Sequence, residues 1–234
     1  MSLHYLELTT ESPRDLVPRF FDETALTYDK IIRWTTFGKD KYWKDEIVKK
    51  IPPSDSILDL ACGTGILTRK IAQKFPNAKI IGIDVSKSYL EVAKIKSKLE
   101  QNISFVRQDA EKLNLNSKFD CITSSYISKY CSPKVLIESC LKHLKPGAKI
   151  ILHDFLYPTT EVALKFWNLH FKVLNIVGYF LPKWREVFIE LPKLIRSSNW
   201  LDEYEREMKK NGLTVEIQYL TWKSSAILTG TKII

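Results

Sequence analysis

The hydrophobic pattern is most regular between residues 51 and 157, where short apolar runs alternate with amphipathic segments of about 10 to 15 residues. The apolar runs predict buried strands, and the amphipathic segments predict helices, because their apolar residues recur every three or four positions. Strands that alternate with helices form a parallel sheet covered on both faces. The predicted strands are SILDLA, KIIGIDV, ISFVRQDA, FDCITSSY and, after a predicted turn at KPGA, KIILHDF.

The regions outside this alternation have other patterns. The N-terminal region predicts helices rich in aromatic and polar residues, and a later insertion predicts helices interrupted by glycine and proline, the last at Pro192. The C-terminal region predicts one helix and two strands, which pair antiparallel because their link is short. We therefore expect a single α/β domain with a mostly parallel sheet and an antiparallel edge hairpin. Its parts are an N-terminal helical cap (1–50), a core (51–157), a helical insertion (158–200) and a closing helix with hairpin (201–234).

Composition and charge narrow the class of protein without identifying it. The 234 residues are 44% hydrophobic and 27% charged, which is ordinary for a globular domain. The net charge of +9 comes from 36 Lys and Arg against 27 Asp and Glu, spread along the chain, so we expect a solvated basic surface. We recognise no secretory signal and no apolar stretch of about 18 residues, which indicates a cytoplasmic protein. The cysteines predict no structural metal, because Cys62, Cys121, Cys131 and Cys140 form no CxxC pair.

A glycine turn follows the first predicted strand, at Gly63-Thr64-Gly65. A strand, a glycine turn and a helix present backbone N–H groups to nucleotide-like ligands. The dinucleotide fingerprint G-x-G-x-x-G/A fails at its third position, which is Thr68, and no phosphate-binding G-x-x-x-x-G-K-[ST] loop occurs. By itself the turn is equally consistent with a purely structural role.

Three acids lie at or near the carboxyl ends of successive predicted strands. Asp59 precedes the glycine turn, Asp84 ends the second strand, and Asp109 follows the third. Ligands of open α/β sheets bind at this edge, where a carboxylate can accept hydrogen bonds from ribose hydroxyls. Acids there would repel a pyrophosphate, but they suit a ligand with a sulfonium cation, an amino group and a ribose.

The series LDLACGTG, GIDVS, VRQDAEKL and FDCITSSY resembles the motifs of class I S-adenosylmethionine-dependent methyltransferases. The resemblance implies a Rossmann-like fold with a seven-stranded sheet and an antiparallel last strand. It implies that the glycine turn and Asp59 lie beside the methionine part of the cofactor and that Asp84 binds the ribose. Asp109 and the Ala110 backbone would bind the adenine, and Ser125 would lie beside the sulfonium.

Over most of its length the chain is similar to the menaquinone/ubiquinone-biosynthesis C-methyltransferase family. The similarity includes FFDETALTYDKI, in which Tyr28 would help to close the cofactor pocket, and LKPGAKIILHDFLYP. The chain departs from the family where Lys129 and Tyr130 replace an Arg-Asn pair. The resemblance implies S-adenosyl-L-methionine as the cofactor and an apolar acceptor such as a quinol precursor. The predicted cofactor-binding residues are Tyr28, Asp59, Gly63, Thr64, Gly65, Asp84, Val85, Asp109, Ala110 and Ser125.

Residues 161–181 combine bulky apolar side chains with a narrow polar stripe at helical spacing. The pattern favours a buried cover helix. It is also consistent with an apolar lid over the acceptor, or with peripheral contact with a membrane. The stripe comprises Lys165, Asn168, Lys172, Asn175 and Tyr179.

Methyl transfer from a sulfonium depends mainly on positioning and on the exclusion of water. A carbon or oxygen acceptor also benefits from losing a proton, so a base is expected. His153 ends the fifth strand at the appropriate edge, and Lys129 could orient an acceptor oxygen.

Three other functions are weighed against this one. Thr68 disfavours a dinucleotide-dependent oxidoreductase. The positive charge invites a nucleic-acid methyltransferase, but no Asn/Asp-Pro-Pro-aromatic motif and no separate basic domain occur in the sequence. A non-catalytic cofactor-binding protein would use the apolar insertion as an interface for its partner.

Overall fold

A computed structural model describes residues 12–233 of the chain; residues 1–11, which belong to the predicted N-terminal cap, and residue 234 lie outside this description. A seven-stranded sheet forms its centre, in the strand order β3-β2-β1-β4-β5-β7-β6. Only β7 runs antiparallel to its neighbours, β5 and β6. The fold prediction is therefore confirmed. The strands are β1 (Ser56–Leu60), β2 (Lys79–Asp84), β3 (Ile103–Arg107), β4 (Phe119–Ser125), β5 (Leu144–Phe155), β6 (Leu213–Leu220) and β7 (Ser225–Lys232).

Helices cover both faces of the sheet, as alternating strands and helices require. One apolar cluster packs Trp43 and Ile71 from one pair of helices, α3 and α4, against the sheet. The other packs Leu136 and Tyr204 from α6 and α9 on the opposite side. The helices are α1 (Leu16–Phe21), α2 (Tyr28–Thr35), α3 (Lys39–Lys50), α4 (Ile66–Lys74), α5 (Lys87–Lys96), α6 (Pro133–Lys142), α7 (Glu161–Gly178), α8 (Pro182–Ser197) and α9 (Trp200–Lys210).

A smaller apolar cluster joins the N-terminal helices to the insertion. Phe20 of α1 packs with Leu174 of α7 and with Trp184, Val187 and Phe188 of α8. This cluster stands apart from the two clusters on the sheet, and it attaches α7 and α8 to the N-terminal helices.

Two local predictions are wrong. The KPGA turn lies inside β5, where the pairing with β4 shifts register and Gly147 adopts a φ of +71°. A strand can absorb extra residues as an irregularity of this kind. Pro192 lies inside α8 and does not interrupt it, because Phe188 before it and Leu194 after it are buried and hold the helix against its neighbours.

Residues 161–181 contain the predicted helix, α7, but the expectation that this helix is buried is wrong. Of the residues of α7, only Leu174 and Gly178 are buried. Its inner face contributes Trp167 and Phe171, which are partly buried, while much of the opposite face is exposed. No helix in the described part of the chain is long and apolar enough to cross a membrane.

Candidate functional site

The carboxyl ends of β1, β2, β3 and β4 meet at one edge of the sheet and surround a cavity of about 570 Å³, here called the edge cavity. Parallel strands place their carboxyl ends together, so residues distant in sequence converge. The volume suits a ligand of nucleoside size. Of the predicted cofactor-binding residues, the edge cavity is lined by Tyr28, Gly63, Asp84, Val85, Asp109, Ala110 and Ser125.

The glycine turn is fixed by hydrogen bonds at each of its glycines. The Gly63 N–H donates to Oδ2 of Asp84 at 2.8 Å, and the Gly65 N–H donates to the Cys62 carbonyl at 2.9 Å. Both glycines have positive φ, +57° and +77°, which glycine adopts without strain. Gly65 begins α4 and lines neither the edge cavity nor the small cavity described below, so it shapes the turn.

Asp84 connects the turn to the second strand. Its Oδ1 accepts from the Ser86 N–H at 2.9 Å, while Oδ2 holds Gly63. Burial raises the pKa of this carboxyl, and the backbone donors oppose the increase. Each carboxylate oxygen keeps a lone pair, so the group can accept two further hydrogen bonds from a diol in the cavity.

Asp59 lies in a small adjoining cavity of about 30 Å³, which Thr64 and Ser125 also line. The hydroxyls of Thr68 and Thr123 donate to its two oxygens, at 2.6 and 3.1 Å. Complete burial raises the pKa of Asp59 to about 6, although both hydroxyls favour the charged form. An ammonium group in the small cavity would stabilise this carboxylate.

Asp109 lies at the outer end of the edge cavity. Its Oδ1 accepts from the Glu111 N–H at 3.0 Å, and Arg14 forms ion pairs with both Asp109 and Glu111. The carbonyl of Ala110 accepts from the Ser139 hydroxyl at 2.8 Å. Arg14 thus anchors the N-terminal segment across this end of the cavity.

A second cavity of about 420 Å³, here called the apolar cavity, adjoins the edge cavity, and aromatic side chains line both. Tyr28 contacts Tyr89 and Phe21 edge to face, at centroid distances of 5.4 and 6.4 Å. Burial raises the pKa of Tyr28 well above its ordinary value, so its hydroxyl stays protonated. The residues that line both cavities, here called the shared wall, are Phe21, Tyr28, Tyr126 and Tyr130.

The apolar cavity is enclosed by α2, α7 and α8, with side chains such as Ile31, Phe171 and Trp184. Its few polar groups include Lys129 and His170. Because Tyr28 and Tyr126 line both cavities, ligands in the two cavities would lie next to each other.

Lys129 is buried and paired at the inner end of the apolar cavity. Its Nζ donates to Oδ1 of Asp154 at 2.7 Å and to the Tyr126 carbonyl at 2.8 Å. Desolvation lowers the pKa of Lys129, and Asp154 opposes that shift. The Nζ also lies 4.7 Å from the centroid of the Tyr130 ring, in the shared wall.

His153 lies behind Ser125 and lines none of the three cavities. Its Nδ1 is 3.0 Å from the Ser125 hydroxyl, and its ring packs between Trp43 and Tyr126. Burial lowers the pKa of His153 well below 6.5, so the imidazole is neutral. This placement does not support the predicted role of His153 as the base.

Sequence reasoning missed several residues of the site. Lys44 lines the small cavity, paired with buried Asp40, which accepts from the Tyr126 hydroxyl at 2.8 Å. Lys44 and Asp40 are four positions apart on α3, which is a recognisable helical ion-pair spacing, but nothing in the sequence places α3 at the cavity. Nothing in the sequence around Arg14 predicts that this residue lines the edge cavity. Among residues 12–233, no group of three His, Cys, Asp or Glu side chains is arranged to hold a metal.

The charged and polar groups around the two cavities fit S-adenosylmethionine. Asp84 presents free acceptor sites for a diol, the small cavity offers Asp59 to an ammonium and Lys44 to a carboxylate, and Asp109 lies at the far end for an amino group. A dinucleotide would bring a pyrophosphate against these carboxylates.

Solved structures of methyltransferases share this fold. Phosphoethanolamine N-methyltransferase 2 of Haemonchus contortus, in complex with S-adenosyl-L-methionine, superposes with a TM-score of 0.65 at 18% identity, over 97% of this chain and 61% of that one. A methyltransferase of Aquifex aeolicus gives 0.60 at 13% identity, over 81% and 89%. The fold is that of the class I methyltransferases.

Comparison of the sequence with known proteins shows which family the chain belongs to. The ubiE/COQ5 methyltransferase family matches residues 9–232. The ubiquinone/menaquinone biosynthesis C-methyltransferase of Francisella philomiragia is 29% identical over 97% of this chain and 95% of its own, and that of Shewanella oneidensis is 31% identical over 83% and 82%. The demethylmenaquinone methyltransferase of Lactococcus lactis is 29% identical over 76% and 74%. The chain belongs to the ubiE/COQ5 methyltransferase family and is an S-adenosylmethionine-dependent methyltransferase.

Proposed function

We propose that this enzyme methylates a ring carbon of a quinol precursor in quinone biosynthesis. The observation that carries the proposal is the apolar cavity of about 420 Å³, which shares the wall of Phe21, Tyr28, Tyr126 and Tyr130 with the edge cavity. An apolar ring in one cavity would lie against a cofactor in the other. The names of the relatives from F. philomiragia and L. lactis support the same class of acceptor.

The binding roles are proposed residue by residue. Asp84 holds the ribose hydroxyls, Asp109 and the Ala110 backbone hold the adenine, and Val85 borders it. Asp59, Thr64 and Ser125 surround the amino acid part, for which Lys44 provides a cation opposite the carboxylate. The turn at Gly63 and Gly65 brings the backbone close to the ligand, and Tyr28 closes the pocket.

The protein contributes mainly by positioning. When bound, the cofactor supplies a methyl group on a sulfonium, whose sulfur keeps the electron pair of the broken S–C bond. The four aromatic residues that line both cavities exclude water, and the acceptor ring meets the methyl group between them, because an in-line displacement needs the reacting atoms within about 3.5 Å of each other. Lys129, which lines the apolar cavity, donates its third N–H to an acceptor oxygen, since the other two bond Asp154 and the Tyr126 carbonyl. That contact favours the quinol that has given its hydroxyl proton to water, and the electron pair of this phenolate forms the C–C bond as the S–C bond breaks. The ring proton then passes through water to the phenolate oxygen, which restores the aromatic ring.

His153 acts on the site through Ser125. Its neutral ring holds the Ser125 hydroxyl at 3.0 Å and packs at a tilt against the Tyr126 ring, so it fixes two residues of the edge cavity. This is a positioning role.

The helical regions outside the core have roles that we infer from their contacts. Residues 12–50 cap the edge cavity, with Arg14 as their anchor, and residues 158–200 form the lid of the apolar cavity through α7 and α8. The four free cysteines support action in a reducing compartment, which we take to be the cytoplasm.

A cavity-filling substitution tests where the acceptor binds. Ile31 lines only the apolar cavity, so Ile31→Trp removes space for the acceptor and leaves the edge cavity unchanged. We expect the KM of a short-chain naphthoquinol to rise at least about tenfold while calorimetry shows an unchanged Kd for S-adenosylmethionine. The matched control is Ile95→Trp, at an exposed position of α5 outside both cavities.

Circular dichroism establishes that both variants are folded. Equal KM values for Ile31→Trp and Ile95→Trp would contradict the assignment of the apolar cavity. Absence of transfer to any quinol by the unsubstituted enzyme, with methylation of RNA or DNA instead, would favour the nucleic-acid alternative.

A further inference from the structure

A row of apolar side chains lies on the outer face of α7, opposite the buried Leu174. Phe166 is 71% exposed and Ile176 is 61% exposed. Successive members are three or four positions apart, which keeps them on one side of a helix. The row, here called the outer row, comprises Val162, Phe166, Leu169, Val173, Ile176 and, just beyond the helix, Phe180.

The outer row adjoins the opening of the apolar cavity. The Phe37 ring lies 5.3 Å from the His170 ring of α7, and both residues line that cavity. Trp222, at the tip of the β6-β7 hairpin, also lines it and is 96% exposed. Phe37, His170 and Trp222 are here called the mouth, and His170 directly follows Leu169 of the outer row on α7.

Two of these aromatic residues are held outward by unfavourable backbone conformations. Phe37 has a φ of +51° and Trp222 a φ of +53°, which non-glycine residues rarely adopt. Trp43 donates from Nε1 to the hydroxyl of Thr221 at 2.7 Å and so anchors the hairpin tip. Conformations of this kind persist where the surrounding structure fixes them and concentrate at functional sites.

The charges beside this surface are basic. Lys165 and Lys172 flank the outer row on α7, where no acid occurs between Val162 and Gly178. Exposed Lys30 and Arg33 border the surface depression that Phe37 lines. Exposed Lys223 follows Trp222, and the whole chain carries +9.

We propose that the outer row and the mouth lie on the surface of an anionic lipid bilayer and that the acceptor enters the apolar cavity directly from the lipid. The proposal rests on the proposed function for the nature of the acceptor. Apolar side chains bordered by lysines, with an exposed tryptophan at the edge, match a helix that lies in the membrane interface. A second copy of the chain fits the surface less well, because it would bring two basic surfaces together.

Vesicle sedimentation tests the proposal without any assay of activity. We expect the full-length protein to bind vesicles of phosphatidylcholine with phosphatidylglycerol, and to bind less as salt rises, because the Debye length falls. The pair Phe166→Ser and Val173→Ser, and separately the pair Lys165→Glu and Lys172→Glu, should each weaken binding at least about tenfold. The matched control is Lys209→Glu with Lys210→Glu, the same charge change on α9.

The outcomes separate this proposal from the proposed function. All variants change exposed side chains outside the cavities, so turnover of a short-chain, water-soluble quinol stays as in the unsubstituted enzyme. Lack of vesicle binding by the unsubstituted protein, or equal loss in the α9 control, would overturn the bilayer proposal. A dimer that the Phe166 and Val173 substitutions dissociate would also overturn it and assign the outer row to a second copy. Vesicle binding without quinol turnover would support the assignment of the outer row and the mouth to a bilayer, and it would refute the proposed function.

Discussion

Replacing Asp59 by asparagine tests whether this buried carboxylate destabilises the free enzyme at neutral pH. Its pKa of about 6 in the folded protein exceeds the ordinary 3.8 by about 2.2 units. The folded state therefore binds more protons than the unfolded state between about pH 4 and pH 6, so stability falls as the pH rises through this window. At 1.36 kcal/mol per unit, the contribution lost is about 3 kcal/mol.

Asp59→Asn removes this dependence and keeps the shape of the side chain. Asparagine accepts from one of the Thr68 and Thr123 hydroxyls and donates to the other, as protonated Asp59 also must. We therefore expect the variant to be about as stable as the unsubstituted protein below pH 4 and about 3 kcal/mol more stable at pH 7.

Urea unfolding from pH 4 to pH 7.5 measures the difference in the free energy of unfolding. The other titrating groups are common to both proteins, so their effects cancel in the difference. The control is Asp55→Asn, the same change at an exposed acid just before β1. A difference that stays constant with pH, or that decreases as the pH rises, would refute the assigned pKa and the reasoning from burial.

Three further predictions concern the bound state. Asp84→Ala should weaken S-adenosylmethionine binding at least about tenfold in calorimetry, because two charge-assisted hydrogen bonds are lost. The control Glu91→Ala, at an exposed position, should leave the affinity unchanged. Equal affinities for the two variants would contradict the ribose assignment. Cofactor binding near pH 6 should release a proton from Asp59, so the binding enthalpy should depend on the ionisation heat of the buffer. The same dependence in Asp59→Asn would show that the proton does not come from Asp59. The double variant Lys129→Met with Asp154→Asn leaves no unpaired buried charge. It should lower kcat at least about tenfold and leave the cofactor Kd unchanged. An unaltered kcat would show that Lys129 takes no part in the mechanism.

The sheet, and the meeting of Asp84 and Asp109 at one cavity, were predictable because their signals are local. Each strand is an apolar run with its own boundaries, and a parallel arrangement brings the ends of successive strands to one edge. Asp84 and Asp109 could therefore be assigned to one site from their positions alone. The KPGA segment misled the prediction because a turn composition can also occur within an irregular strand, and only the pairing of β5 with β4 decides between the two.

The apolar cavity and the surroundings of Lys44 could not be predicted, because they depend on how separate helices pack. The pattern of α7 shows apolar residues over most of its circumference, but it does not say which of them face Trp184 and which face outward. In the same way, His153 ends a strand at the expected edge, yet its ring is directed behind Ser125 by packing against Trp43 and Tyr126.

The most direct test of the central claim is the fate of the methyl group. The enzyme is incubated with S-adenosylmethionine carrying a deuterated methyl and with a reduced short-chain naphthoquinol that lacks the ring methyl, and the product is examined by mass spectrometry and NMR. The account predicts the labelled methyl on the ring carbon and no product with Asp84→Ala at limiting cofactor. Label on an oxygen or nitrogen atom, or no transfer to the quinol by an enzyme that binds the cofactor, would contradict it.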